Sequence, residues 1–150
     1  MTTRLLKRTV LGAVIIAAGV QFVRPDRSNP AVNAAQTVQA TAAVPPGVHA
    51  VLRRSCYDCH SSETRWPWYS RIAPVSWLVA SDVSEARGKF NLSDWGLVPP
   101  KKQADLREDM WEEVEKGAMP LWFYRIAHPE ARLTPSQEAT LREWAVGAKQ

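Results

Sequence analysis

Cysteine is scarce in this 150-residue chain: there are two, beside three histidines and three methionines. Two thiols cannot staple a disulfide-dense miniature fold, and a chain that is 45% hydrophobic is too apolar to stay disordered throughout. No stretch alternates apolar and polar residues with a period of two, so no strand is expected, and no internal repeat is visible. Excess charge is missing from most of the chain as well. The formal net charge of +4 sits entirely before Ala35, in Arg4, Lys7, Arg8, Arg24 and Arg27 against Asp26, and the remainder is balanced. That distribution argues against a nucleic-acid partner, whose footprint needs basic residues on the folded body. The length suits one domain with a tail.

The tail has a basic start followed by the apolar run Val10 to Val23. Residues 1–23 are therefore read as a signal-anchor or transmembrane segment. The run is short, about 21 Å of helix against a hydrocarbon core of ~30 Å, which suits a cleaved signal; Arg24 and Arg27 directly after it suit an uncleaved anchor. Either reading retains the basic flank in the cytoplasm and puts the body on the periplasmic side of a bacterial inner membrane. Residues 24–47, rich in Pro, Ala, Asn, Gln and Thr without apolar periodicity, read as a flexible linker spanning about 25–30 Å.

Residues 48–150 read as an all-α domain. A first helix opens after Pro45-Pro46 with Val48, Val51, Leu52 and Ser55 on one face, His49 lying exposed before it. A second is expected from Val75 to Arg87, with Val75, Val79, Val83 and Ala86 as its apolar stripe and Gly88 as its stop. A third runs over Gln103 to Lys116 with Leu106, Met110 and Val114 inward and Gly117 as cap. A fourth has Thr134 as N-cap, Pro135 in the first turn and Gln137 completing a capping box, with Leu141, Trp144 and Ala145 inward.

The two cysteines stand three apart and a histidine follows at once: Cys56-Tyr57-Asp58-Cys59-His60. This is the attachment pattern of c-type haem. Two thiols one helical turn apart can each form a thioether to a haem vinyl group, and the adjacent imidazole of His60 is then held beneath the iron as proximal ligand. A thioredoxin-like redox pair, a zinc site recruiting His49 or His128, and a plain disulfide are the competing readings. The first lacks a βαβ context and the second lacks the usual second ligand pair.

Met119 is the expected distal ligand, because Pro120 stiffens the loop just beyond its thioether. His128 is the alternative, and Met110, on an apolar helix face, reads as core filling. Among seven tryptophans, the group Arg65, Trp66, Trp68 and Tyr69 lies close after His60 and is expected in the haem pocket, where ring NH and guanidinium groups suit propionates. The carbonyl of Pro74 is the expected partner of the second ring nitrogen of His60. The acidic stretch Asp105, Glu108, Asp109, Glu112, Glu113 and Glu115 reads as a solvated helix face, with docking of a basic redox partner as the second reading.

The order of Cys-x-x-Cys-His, a helical middle, Met-Pro and a final helix resembles class I cytochromes c. Cys56-Tyr-Asp-Cys-His-Ser61, Trp66-Pro-Trp-Tyr69, Ile72-Ala-Pro-Val-Ser-Trp77, Asn91-Leu-Ser-Asp-Trp95 and Met119-Pro120 through Tyr124 and His128-Pro129 are together similar to the bacterial haem-binding-domain family (Haem_bd). The resemblance implies a cytochrome-c-like domain with one haem c attached at Cys56 and Cys59 and His60 on its iron. It covers Met119 and His128 alike, so the sixth ligand stays open between them. The expected function is single-electron transfer between redox partner proteins rather than enzymatic turnover. The alternative is a haem enzyme or sensor with an open sixth site for peroxide or a small gas.

Overall fold

A computed structural model describes residues 2–147. Among the described residues there are eight α-helices and no strand: α1 (Thr2–Gly19), α2 (Val38–Thr41), α3 (Pro46–Ser55), α4 (Tyr57–His60), α5 (Val75–Lys89), α6 (Pro100–Glu115), α7 (Trp122–Ala127) and α8 (Pro135–Val146). Single 3₁₀ turns at Val20–Phe22, Ala34–Gln36, Trp68–Arg71, Trp95–Leu97 and Pro129–Ala131 punctuate them. The chain separates into two compact units, one of the residues up to Ser28 with Trp66–Asp82, the other of Asn29–Arg65 with the chain from Val83 onward.

The first unit holds α1, which exposes its apolar side chains, Leu5, Leu11, Ile15 and Ile16 among them. Residues 3–22 form a helix long and apolar enough to cross a membrane, as an anchor or as a signal sequence. The helix is longer than the apolar run alone because it takes in the basic residues Arg4, Lys7 and Arg8. Its end is tied to the Trp68–Arg71 turn and the start of α5. Gln21 Nε2 donates to the Ala73 carbonyl (3.2 Å) and its Oε1 accepts from Ala73 N (3.0 Å). Trp77 Nε1 donates to the Val23 carbonyl (2.8 Å), and Arg27 Nη1 to that of Ser70 (3.1 Å).

The second unit is built on α3, α6 and α8, with α8 packing against both α3 and α6. Val48, Val51 and Leu52 of α3, Met110 and Val114 of α6, and Leu141, Trp144 and Ala145 of α8 are buried in one core. Helical spacing put these residues on single faces, and burying those faces is what holds such short helices. The start of α8 is as its sequence foretells: Thr134 accepts from Gln137 N, and the Gln137 side chain returns the bond to Thr134 N.

Three expectations are corrected. Within residues 24–47, expected to be a featureless linker, stand the Ala34–Gln36 turn and α2, and Val38 is fully buried in the core, its N–H donating to the Leu92 carbonyl (2.8 Å). Val38 is the buried residue of this four-residue helix and Gln39 bonds the Tyr57 hydroxyl, but so short an element leaves no periodicity to detect. In α5 only Val83 and Ala86 of the stripe are buried; Val75 is exposed, and the helix runs past Gly88 to Lys89. His49 lies inside α3 and is half-buried.

The turn at Trp95–Leu97 packs on α2 and on the turn before it. A methyl group at Gly96 would strike Gln36 Oε1 and come within 2.7 Å of Thr41 Cγ2 and 3.3 Å of Gln36 Cα. Gly96→Ala should therefore lower stability by about 1–3 kcal/mol, as overpacking does. The shift of the urea midpoint measures it, and a shift near zero would mean that residues 36–41 do not dock there.

Candidate functional site

Helix α3 breaks at Cys56, whose φ of −122° leaves the helical region, and the chain restarts as the single turn α4. Cys56 N still donates to the Leu52 carbonyl (2.9 Å), while the Cys56 carbonyl accepts from Cys59 N (3.2 Å) and His60 N (2.9 Å). The turn is clamped from several sides. Tyr57 is buried with its hydroxyl on the Gln39 amide, and the Arg53 guanidinium sits 4.5 Å above its ring. The His60 carbonyl accepts from Leu92 N (2.8 Å).

The His60 ring is stacked on Phe90, centroids 4.0 Å apart and planes 10° from parallel, and Phe90 in turn meets Trp95 edge-on. His60 Nδ1 lies 3.1 Å from the Ala86 carbonyl. A carbonyl can only accept, so Nδ1 carries the proton and Nε2 keeps its lone pair for a metal. The partner is the carbonyl of Ala86, in the last turn of α5, and not that of Pro74. Burial holds the imidazole pKa below its usual value against the opposing pull of the Phe90 and Ala86 carbonyls, favouring the neutral, ligating form.

Cys56 and Cys59 are half-buried and not joined in a disulfide. Burial first, and the neighbouring Cys59 second, push the Cys56 thiol up to about 12, so it is protonated at neutral pH. No cluster of three or more His, Cys, Asp or Glu side chains suited to a metal ion occurs among the described residues, which leaves the zinc reading without ligands.

A cleft of about 470 Å³ opens beside α4, lined by Ser55, Cys56 and His60, by Phe90, by Leu106, Met110 and Val114 of α6, and by Met119, Pro120 and Leu133. This volume is within the roughly 300–1,000 Å³ usual for cofactor sites. The α6 stripe expected to be core filling is thus also the cleft wall. Lys89, Asp109, Glu112 and Glu113 line it too, and Lys116 bridges the last two carboxylates at 3.1 and 3.5 Å. Half of the acidic stretch therefore borders the cleft. Ser55 Oγ is buried without a hydrogen-bond partner.

The residues picked out by sequence fall into two groups. Cys56, His60 and Met119 share the cleft. Cys59 does not line it, though it lies on the same helical turn between the other motif residues. His128 is elsewhere, stacked on Tyr124 at 4.3 Å with Nδ1 3.0 Å from Glu130. Arg65 pairs with Asp58 at 3.3 Å, and Asp58 also accepts from Tyr124. Trp66, Trp68 and Tyr69 belong to the other unit and are not among the cleft-lining residues. Phe90, Leu133 and Ser55 were not foreseen; only the position of Ser55, beside Cys56, offered a sequence signal.

The cleft combines an apolar interior, an imidazole with a fixed tautomer, a thiol and a thioether. Such a set suits a haem: flat apolar macrocycle, nitrogen and sulfur donors for the iron, a thiol for the periphery. An all-α chain with this site is of the haem-protein class. It belongs to the haem-binding domain family, whose model matches residues 15–147. No curated protein and no solved structure matches the chain.

Proposed function

We propose that the chain is a membrane-tethered c-type cytochrome domain that passes single electrons between partner proteins. The observation that carries this reading is the convergence of Cys56, His60 and Met119 on one apolar cleft. Cys56 and Cys59 would hold one haem covalently on the periplasmic side of the membrane, His60 would bind its iron through Nε2, and Met119 would supply the second protein ligand. His128 is the weaker candidate because Tyr124 and Glu130 already engage its ring. Haem in this cleft supplies a one-electron ferric/ferrous couple.

The protein's own share is placement and insulation. The Ala86 carbonyl fixes the His60 tautomer and raises its basicity as a ligand; Phe90, Leu106, Val114 and Leu133 exclude water and lower the local dielectric, which tunes the couple. Asp109, Glu112 and Glu113 outnumber Lys89 and Lys116 around the cleft and so favour a redox partner with a basic surface, which long-range attraction would steer toward the site.

The test is spectroscopic. Protein produced with cytochrome maturation should show a low-spin ferric spectrum with the weak far-red methionine band, and should ignore carbon monoxide. High-spin iron that binds the gas would replace electron transfer with the enzyme or sensor reading.

A further inference from the structure

The aromatic motif Trp66-Pro67-Trp68-Tyr69, not among the cleft-lining residues, needs another account. It belongs to the first unit. Over residues 68–78 the chain exposes Trp68 (73% accessible), Ile72, Val75, Trp77 and Leu78, and Val75 and Leu78 share a face of α5 at three-residue spacing. Single exposed apolar residues are ordinary, but five large ones in eleven residues are a surface that water disfavours. Exposed Arg71 and Arg24 accompany them.

This segment is tied to the end of the apolar helix. Ala73 exchanges two hydrogen bonds with Gln21, Trp77 donates to Val23 at 2.8 Å, and Ser70 receives Arg27 at 3.1 Å. If the helix spans the bilayer, residues 21–27 mark where the hydrocarbon ends, and the headgroup layer beyond it is only about 5–8 Å deep. Groups hydrogen-bonded to Gln21 and Val23, at the end of the helix, are therefore held close to that layer. Tryptophan and tyrosine, apolar bodies with one polar tip, concentrate at this depth, and arginine pairs with lipid phosphate there.

We propose that residues 68–78 seat in the bilayer, with Trp68, Ile72 and Leu78 entering the boundary between headgroups and acyl chains of the membrane that α1 crosses. The inference rests on the tethered reading of α1 and adds to it a second, interfacial contact.

The full-length haem-loaded protein is reconstituted in phospholipid vesicles doped with a lipid carrying a diazirine at the top of its acyl chain, irradiated, and digested with trypsin. Mass spectrometry should find lipid adducts on peptides 9–27, 66–71 and 72–87. The triple variant Trp68→Ser, Ile72→Ser, Leu78→Ser, with its haem spectrum intact as evidence of folding, should lose most adducts on the latter two and keep those on 9–27. Adducts on 9–27 alone, or adducts undiminished in the variant, would overturn the seating and leave the tether standing. A peptide 9–27 without adducts would remove the tether, and the seating with it.

Discussion

A chain carrying Cys56→Ala and Cys59→Ala should retain no haem after extraction with acid acetone, whereas the unmodified protein should keep all of it on the polypeptide, visible as a pyridine haemochrome. The expectation follows from separating the two jobs that the proposed haem site would perform. Ligation by His60 and enclosure by Phe90, Leu106, Val114 and Leu133 need no thiol, so some haem should still bind the double variant and wash out on denaturation. Covalent retention needs a sulfur–carbon bond, formed as a thiol adds across a vinyl group and its hydrogen passes to the adjacent carbon. Each single variant should hold haem through one such bond and show a haemochrome band displaced from that of the intact protein. Burial bears on this chemistry before attachment. Thiolate is the form that oxidises, and Cys56, raised to about 12, stays protonated at neutral pH. Full retention of haem by the double variant would sink the covalent reading and leave a non-covalent haem site.

How much of this was legible beforehand depended on whether a feature is local. Gly117 could be read as the cap of α6 from its place after Val114, and it adopts the left-handed φ of 71° that a side chain would strain. The Thr134–Gln137 box is likewise contained within four residues. The Cys56–His60 motif is local too: α4 carries Cys59 and His60, with Cys56 as its N-cap. Failures came where tertiary neighbours decide. Pro74 and Ala86 are both carbonyls some way after His60, and only the path of α5 chooses Ala86. The α5 stripe had the right period, but a period reports which residues share a face, not what covers it. Trp66, Trp68 and Tyr69 suit a haem edge and a lipid interface for the same amphipathic reason, and their composition alone does not choose between them.

Met119→Leu should abolish the far-red band, open the iron to carbon monoxide and lower the reduction potential by a sizeable part of the ~0.8 V range that axial ligands command. The loop that presents Met119 is held at both ends of its short course. Gly117 N donates to the Val114 carbonyl (2.9 Å), Met119 N to that of Glu113 (2.9 Å), and Arg125 reaches the Gly117 carbonyl at 3.3 Å. Pro120 is buried behind it. Such a loop keeps the sulfur in place through a change of oxidation state, which is what an electron carrier needs of its soft ligand. Met119 also stands between two cavities: it lines the cleft and, with Val114, Pro120 and Leu133, a neighbouring space of about 610 Å³ edged by Trp122, Arg125 and Arg132. Truncation to alanine would join lost ligation to lost packing, whereas leucine conserves volume and should cost less than about 1.5 kcal/mol of stability. The leucine variant therefore isolates the sulfur. His128→Ala is the matching control and should leave band, gas binding and potential unchanged, because its ring lies against Tyr124 and Glu130. If instead the band survives in Met119→Leu, Met119 is not the ligand; a low-spin spectrum lost only in His128→Ala would give the sixth position to that histidine.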